Sequence, residues 1–426
     1  MIDFNPSSTK HLSTLLFGGE VKYVEKIPNG IFKSGERKGE IKYKNEDKIK
    51  KFNGLVKPLK EWKSEAGNIS TGDTVLQILA KRQDKDAGKI AKILLEIRKL
   101  EKELNTYYNA IGELIYDFDS TVKGQLCHCG YDKGSEFGGG TSTGRLSSRH
   151  PNLQNFPRAA DSQVREFFSS RYGDNGIIIE CDYKQLEVVV FAFLTQDVQL
   201  IEDINNGIDI HRILASRLYR TPEALITNEQ RQQTKFSTFH VIYGGGYKSL
   251  AKRENIDEEI AKKFIDIFYE RYPQAKLWQD NLVRQVNNTR DFDKKLAYFQ
   301  SVTGRIYYFP LMDQPYKNGN NEIWVYPPNI KNYPVQGLAT ADIVLIMLGK
   351  LWRQAIENRD KFLLINTVHD SVVIDCKKEF LDFTCNLVKN ELELGYEILK
   401  NLFNIDFNVP LKIDIKTGKD WRKCGL

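Results

Sequence analysis

Between residues 90 and 104, apolar side chains return every three or four positions. Ile90, Ile93, Leu94, Ile97, Leu100 and Leu104 are separated by charges, the period of one helix face. The spacing predicts helix over residues 74–116. The pattern then changes. GIIIECDY (176–183) is a nearly continuous apolar run closed by Asp182, which predicts a buried strand ending in a carboxylate. Residues 198–290 return to helical spacing. KFLLINTVHDSVVIDC (361–376) predicts two strands around a tight His-Asp turn, residues 379–403 a helix, and residues 409–415 a last strand. Two stretches lack a clear period. Residues 20–65 are rich in lysine and glycine and read as an extended or hairpin-rich lobe; residues 122–148 are rich in Gly, Cys, Ser and Thr. No internal repeat is evident. Strands alternating with helical blocks indicate a mixed α/β or α+β chain.

At 426 residues the chain has room for roughly three domains, or one large multi-lobed one. Hydrophobic residues at 41% and aromatics at 11% exclude a mostly disordered chain. Lys and Arg number 62 against 56 Asp and Glu, a net charge of +6, which permits a polyanionic partner without requiring one. Residues 20–65 hold thirteen basic and eight acidic side chains, a local net of +5. That region is either a solvated loop or a nucleic-acid contact. No apolar run reaches the ~18–20 residues of a membrane helix. The start, MIDFNPSSTK, lacks the basic-then-apolar order of a signal peptide, so the cytoplasm is the default compartment and no membrane partner is expected. Six cysteines do not make a disulfide scaffold. Cys127, His128 and Cys129 are three soft ligands together, but no second Cys/His pair stands at zinc spacing, and a reduced turn or short strand is the better reading.

Three segments carry candidate chemistry. Asp182 and Asp370 sit at a strand end and in a hairpin turn. Carboxylates on adjacent strands could share two Mg²⁺ ions and serve phosphoryl transfer, since Mg²⁺ favours one or two carboxylates plus substrate phosphates; the alternative is a pair of ordinary turn residues. In NEQRQQTKFSTFHVIYGGG (228–246), Asn228 is the expected N-cap, and Gly244 to Gly246 stop the helix. Arg231, Lys235, Phe239 and Tyr243 recur every four residues on one stripe, two cations and then two rings. This suits the phosphates and the base and sugar of a nucleotide, or else a surface helix with its aromatics on the core. In TSTGRLSSRHPNLQNFP (141–157), Arg145, Asn152 and Gln154 could donate to minor-groove acceptors, which are nearly the same for every base pair. An ordinary loop fits that composition equally.

Taken together, these segments resemble the family-A DNA polymerases, the DNA polymerase I type, over nearly the whole chain and in the family's order. DFNPSSTKHLSTLLFGG (3–19) resembles the start of the polymerase module, above all in phage members, and LLEIRKLEKELNTYYNAI (94–111) the thumb helix. TGRLSS with PNLQN resembles the template–primer contact motif, DYKQLE (182–187) the first catalytic motif, and R…K…F…YG (231–244) the nucleotide-binding finger helix. DIH (209–211), TGR (303–305), NYPVQG (332–337), VHD (368–370) and GKDW (418–421) fall in register.

The resemblance implies an α+β right-hand polymerase. Its thumb, with a basic N-terminal insertion, would span 1–125, its antiparallel-sheet palm 126–200 and 321–426, and its helical fingers 201–320. The implied activity is template-directed, primer-dependent DNA synthesis from dNTPs with release of pyrophosphate by a two-metal mechanism, on two Mg²⁺ ions or Mn²⁺ in their place. Carried over by position, Asp182, Asp370 and the carbonyl of Tyr183 would hold the metals. Arg231, Lys235 and His211 would hold the triphosphate, with Lys235 also the proton donor to pyrophosphate. Gln185, Phe239 and Tyr243 would line the nucleotide site, and Glu187 would exclude a ribose 2′-hydroxyl. Arg145, Asn152, Gln154, Asn332 and Gln336 would contact primer–template, with His369 by the primer end. The family's proofreading and 5′-nuclease domains precede the module that begins near Phe4, so no proofreading is expected of this chain. A monomer replicating phage or mobile-element DNA in a bacterial cytoplasm, with a helicase or processivity protein, completes the implied picture.

The chain departs from the family pattern at Ser371 (usually Glu), Lys184 (Ser), Val189 (Arg) and Pro328 (Arg). Two rivals stand beside this reading. A single-subunit RNA polymerase is opposed by Glu187 and by the TGRLSS and PNLQN segments. A non-enzymatic DNA-binding relic, suggested by Ser371, is opposed by Asp182, Asp370, Arg231 and Lys235.

Overall fold

The computed structural model describes residues 4–64, 67–81, 85–109, 111, 115–116, 126–127, 130–132, 141–149, 152–318, 321–394 and 396–424. The chain divides into two compact units, Met1–Asn109 and Ala110–Leu426.

In the first unit, Ser8 caps the helix Thr9–Phe17 by accepting from His11 N. That helix buries Leu12 and Leu16 against Trp62, Leu76, Leu79 and Leu94. The lysine-rich lobe is an antiparallel ribbon of two long strands, Gly19–Ile31 and Ile41–Phe52. The helix predicted over 74–116 is broken. It runs as Asp73–Lys81 and Lys85–Glu103, followed by a π-helical turn at Leu104–Tyr108. The intervening sequence RQD has no apolar residue, and Asp86 favours a fresh N-terminus.

In the second unit the predicted strands form one antiparallel sheet in the order Phe362–Val368, Ser371–Lys377, Gly176–Tyr183, Ile413–Gly418. The last strand starts later than predicted. Val409 and Leu411 are buried, but Pro410 between them has no N–H for a ladder, so pairing begins at Ile413. One face of the sheet shares its core with the almost wholly buried helix Leu186–Thr195 and with Phe264, Phe268 and Tyr272. The region predicted helical from 198 to 290 holds Val198–Asn205, Ile210–Tyr219, Asn228–Ile242, Tyr247–Glu254, Glu258–Arg271 and Pro273–Asn288. A three-stranded antiparallel sheet follows, Leu296–Gln300, Ile306–Asn318 and Asn321–Val325, with its own small core around Val286, Phe309 and Ile330. The predicted 379–403 helix is two, Leu381–Glu393 and Tyr396–Phe403. Trp421, 1% exposed, closes the sheet's far end against Phe156 and Phe168, under the Arg165 guanidinium.

Pro327–Glu357 is a continuous helical stretch of 31 residues, long and apolar enough by length and composition to cross a membrane, contrary to the sequence expectation. Yet 61% of its most apolar window is buried inside the fold, as in a core helix. Its middle, Gly337–Ile343, is a π-helical stretch just past Pro334, whose missing N–H already breaks the regular ladder.

Cys181, Cys376 and Cys424 are free and buried, and Cys385 is free and half-buried. Cys127 lies in the short strand Leu126–Cys127, paired with Ile115; His128 and Cys129 lie outside the described residues.

Candidate active site

The sheet brings Asp182 and Asp370 together. Asp182 is in register with Ser371 on one neighbour and with Asp414 on the other. Asp370 precedes Ser371 in the two-residue turn closed by the Val368–Ser371 pair. The strand does not stop at Asp182, as its sequence suggests, but pairs on through Tyr183, whose N–H reaches the Asp370 carbonyl at 3.4 Å. His369 takes φ +58° to make the turn, a conformation histidine tolerates better than most side chains. Ser371 is buried and serves the hairpin: its Oγ donates to Val368 O at 3.0 Å, and its carbonyl accepts from Thr367 Oγ1 at 3.1 Å.

This corner is anionic, with Asp182 exposed and Asp370 half-buried. Asp182 is pushed up to about 7, first by desolvation and then by Asp370, Glu180 and Asp414, against Lys416. Asp370 is also raised by desolvation, opposed by its own backbone N–H and by Arg145 and Lys235. All the donors are oxygens, which suits a hard divalent cation. Among the described residues no three His, Cys, Asp or Glu side chains converge at ligating spacing. The donor set therefore fits an ion that takes one or two carboxylates and completes its shell with substrate oxygens.

The helix Asn228–Ile242 supplies the cations and rings. Its N-cap is Thr227, one residue earlier than Asn228. Thr227 Oγ1 accepts from Gln230 N at 3.2 Å, and Gln230 Oε1 accepts from Thr227 N at 3.0 Å, a reciprocal capping box. All four stripe residues are half-buried, so neither an exposed face nor a core face describes them. Arg231 Nε pairs with Asp209 Oδ2 at 2.5 Å. Asp209 also caps the preceding helix, Ile210–Tyr219, by accepting from Arg212 N at 3.1 Å. Burial would raise it, but Arg231 and that N–H hold it below the usual carboxylate range. His211 is 1% exposed, with Nδ1 3.3 Å from Thr238 Oγ1 and Nε2 buried without a hydrogen-bond partner. Burial brings it down to about 4; Asp209 opposes, and Lys235 and Arg231 add to the depression, so it is neutral at pH 7. The Phe239 ring lies 6.0 Å from those of both His211 and Tyr243.

Tyr243 reaches across to the helix Leu186–Thr195, where its hydroxyl donates to Glu187 Oε2. Glu187 also takes a hydrogen bond from Gln336; burial, the largest influence, still raises its pKa. Gln185 sits exposed at the cap of the Glu187 helix with φ +51°. Lys184, also exposed, pairs with Asp414 at 2.7 Å. Tyr183 is buried, its hydroxyl donating to Leu392 O at 3.0 Å.

Arg145 ties these parts together. Its charge acts on Glu187, Tyr243, His369 and Asp370, and its Nε is buried without a hydrogen-bond partner. His369 is brought down to about 4 by desolvation and then by Arg145. Asn152 caps the short turn Leu153–Asn155, its Oδ1 accepting from Gln154 N at 3.1 Å. Gln154, 6% exposed, donates to Thr367 O at 3.2 Å. Asn332 leaves its Oδ1 buried without a partner.

The sequence places TGR (303–305) in register but gives it no role, and its partner Asp342 goes unmarked. Arg305 Nη2 meets Asp342 Oδ1 at 2.5 Å, and Thr303 Oγ1 donates to Asp342 Oδ2 at 2.6 Å. The Arg305 guanidinium lies over Gly144, where a Cβ would come within 2.3 Å of it. The signal was present: Asp342 is an isolated carboxylate in the apolar run LATADIVLIML. Asp209, inside the DIH triplet, was likewise passed over for its neighbour His211.

The sequence profile of DNA polymerase family A matches residues 40–423. The chain is 30% identical to DNA polymerase I of Caldicellulosiruptor bescii over 339 residues, 79% of this chain and 36% of that one. It is 28% identical to the thermostable DNA polymerase I of Thermus aquaticus over 361 residues, 84% of this chain and 38% of that one. It thus spans little more than a third of the length of these relatives. Among solved structures, the POL domain of Pol1 from M. smegmatis, in complex with DNA primer-template and dNTP, has a similar fold. The TM-score is 0.70 at 23% identity, over 98% of this chain and 61% of that one.

Proposed function

The chain belongs to DNA polymerase family A, and we propose that it extends a DNA primer on a template strand from dNTPs, releasing pyrophosphate. The observation that carries this reading is the convergence on Asp370: the charges of Arg145 and Lys235, from segments about 90 residues apart, both act on this carboxylate beside Asp182. Asp182, Asp370 and the Tyr183 carbonyl would hold two Mg²⁺ ions. When bound, these would lower the pKa of the attacking primer hydroxyl and offset charge on the leaving oxygens. The chain's own groups do the rest. Arg231, released from Asp209, and Lys235 bind the triphosphate, with His211 donating as a neutral imidazole. Lys235 returns a proton to the leaving pyrophosphate. Phe239 and Tyr243 pack on the sugar and base, with Gln185 at the rim of the pocket. Arg145, Asn152, Gln154, Asn332, Gln336 and His369 would hold the primer–template, Asn152 and Gln154 after turning from their present partners. The thumb would come from 1–125, the palm from 126–200 and 321–426, and the fingers from 201–320. We read the chain as a monomer without proofreading, serving phage or mobile-element replication alongside a helicase or processivity protein.

Glu187 tests the nucleotide site. Tyr243 and Gln336 hold its carboxylate in place, where it fills the space that a ribose 2′-hydroxyl would need. Glu187→Ala should raise the rNTP/dNTP ratio of kcat/KM by more than ~10-fold, about 1.4 kcal/mol of differential transition-state binding. Single-nucleotide incorporation kinetics give the ratio directly. An unchanged ratio would remove Glu187 from the sugar pocket.

A further inference from the structure

The two-stranded ribbon of the first unit is oddly built for a structural element. Its strands, Gly19–Ile31 and Ile41–Phe52, are paired almost to their ends, yet in the second strand only Lys48 and Phe52 are even half-buried. Val24, Tyr43 and Ile49 are each more than half exposed. Such a ribbon adds little core and is marginal on its own. The family profile begins at residue 40, so the first strand and the tip lie outside the family match.

Charge singles it out. Residues 20–52 hold ten basic and six acidic side chains, a net of +4. These 33 residues thus carry two thirds of the net +6 of all 426. Residues opposite one another across an antiparallel pair share a face. The register therefore puts Lys22, Lys26 and Lys51 on one face with Glu20 and Asp47, and Lys44, Lys48 and Lys50 on the other with Glu25 and Glu46, so lysines outnumber carboxylates three to two on each. Lys48 is engaged with Glu25 across the strands, and the other five are exposed. With about 3.4 Å per residue, thirteen residues reach roughly 40 Å, a little over one turn of B-DNA at about 34–36 Å. A two-stranded ribbon is also narrow enough to lie along a duplex groove.

We propose that this ribbon is a second duplex-binding element. It lies along the phosphates of double-stranded DNA and holds the chain on its substrate without reading sequence. The inference rests on the reading of the protein as a DNA polymerase but uses none of its site residues. Lysines along exposed strands also discourage edge-to-edge aggregation. That role requires charge but no DNA affinity, and the test separates the two.

The test replaces Lys22, Lys26, Lys44, Lys50 and Lys51 by Gln in the full chain, leaving the Lys48–Glu25 pair to hold the strands. Binding to a blunt duplex is measured from low to moderate salt. Each phosphate contact contributes about 0.9 to the slope of log K against log salt. The slope should become shallower by two or more, and the affinity at ~0.1 M salt should fall at least 10-fold. A companion variant with Arg at all five positions should keep the parent slope. Single-nucleotide incorporation at saturating primer–template should stay within about twofold of the parent, which shows that the variant is folded. A slope change below two overturns the proposal, whether the ribbon instead docks a protein or only stays soluble. Failure of the parent chain to extend a primer would instead sink the polymerase reading, so the two failures are distinct.

Discussion

Asp182→Ala and Asp370→Ala should each lower primer extension by ~10³-fold or more while leaving primer–template affinity within about threefold of the parent. The first half follows from what the carboxylates are for. Divalent cations at a phosphoryl-transfer site contribute several kcal/mol of charge stabilisation in the transition state, and each ~1.4 kcal/mol is tenfold in rate. The other carboxylates near the pair are engaged elsewhere, Glu180 with Arg165 and Glu187 with Tyr243. Asp414 stands on the other side of Asp182 but is tied to Lys184, and the position between Asp370 and the strand is the buried Ser371. The second half follows because affinity for nucleic acid comes mainly from phosphate contacts made elsewhere. Single-turnover extension and equilibrium binding measure the two halves separately. Activity within tenfold of the parent in either variant would remove that aspartate from the reacting centre.

The second large effect is expected at Lys235. Its charge acts on both Asp370 and His211, so it serves the carboxylates and the proposed triphosphate contacts alike. A positioned general acid contributes typically ~10²–10⁴-fold. Lys235→Ala should therefore lower kcat by ~10²-fold or more and also raise KM for the nucleotide. Lys235→Arg is the informative partner. A guanidinium keeps the positive charge but does not give up its proton near neutral pH, so KM should largely recover while kcat stays low. Full recovery of kcat in the arginine variant would make Lys235 a charge contact only.

How far the sequence reaches can be seen at particular residues. The strand 176–183 and the hairpin 361–376 were legible because continuous apolar runs bounded by polar turns have few other outcomes. Their pairing, and with it the meeting of Asp182 and Asp370, was not, because register between segments almost 190 residues apart leaves no local trace. The stripe Arg231, Lys235, Phe239, Tyr243 was legible as a helical period, but Asp209 as the partner of Arg231 was hidden by distance in the chain. The three-stranded sheet after residue 296 was missed because its strands, LAYFQ above all, alternate too weakly to separate from loop. The ribbon was the opposite case. Its lysine and glycine content suggested hairpins, and the structure supplies the register that sorts the lysines onto two faces.

Whether this site joins deoxynucleotides to a primer under the direction of a template can be read from one gel. The purified chain is given a labelled primer annealed to a longer template, with Mg²⁺ and either all four dNTPs, all four rNTPs or no nucleotide, and the Asp182→Ala variant runs alongside. The expected result is full-length extension with dNTPs, little with rNTPs, none without nucleotide, and none from the variant. Equal or better extension with rNTPs, or a bound but unextended primer under every condition, would contradict it.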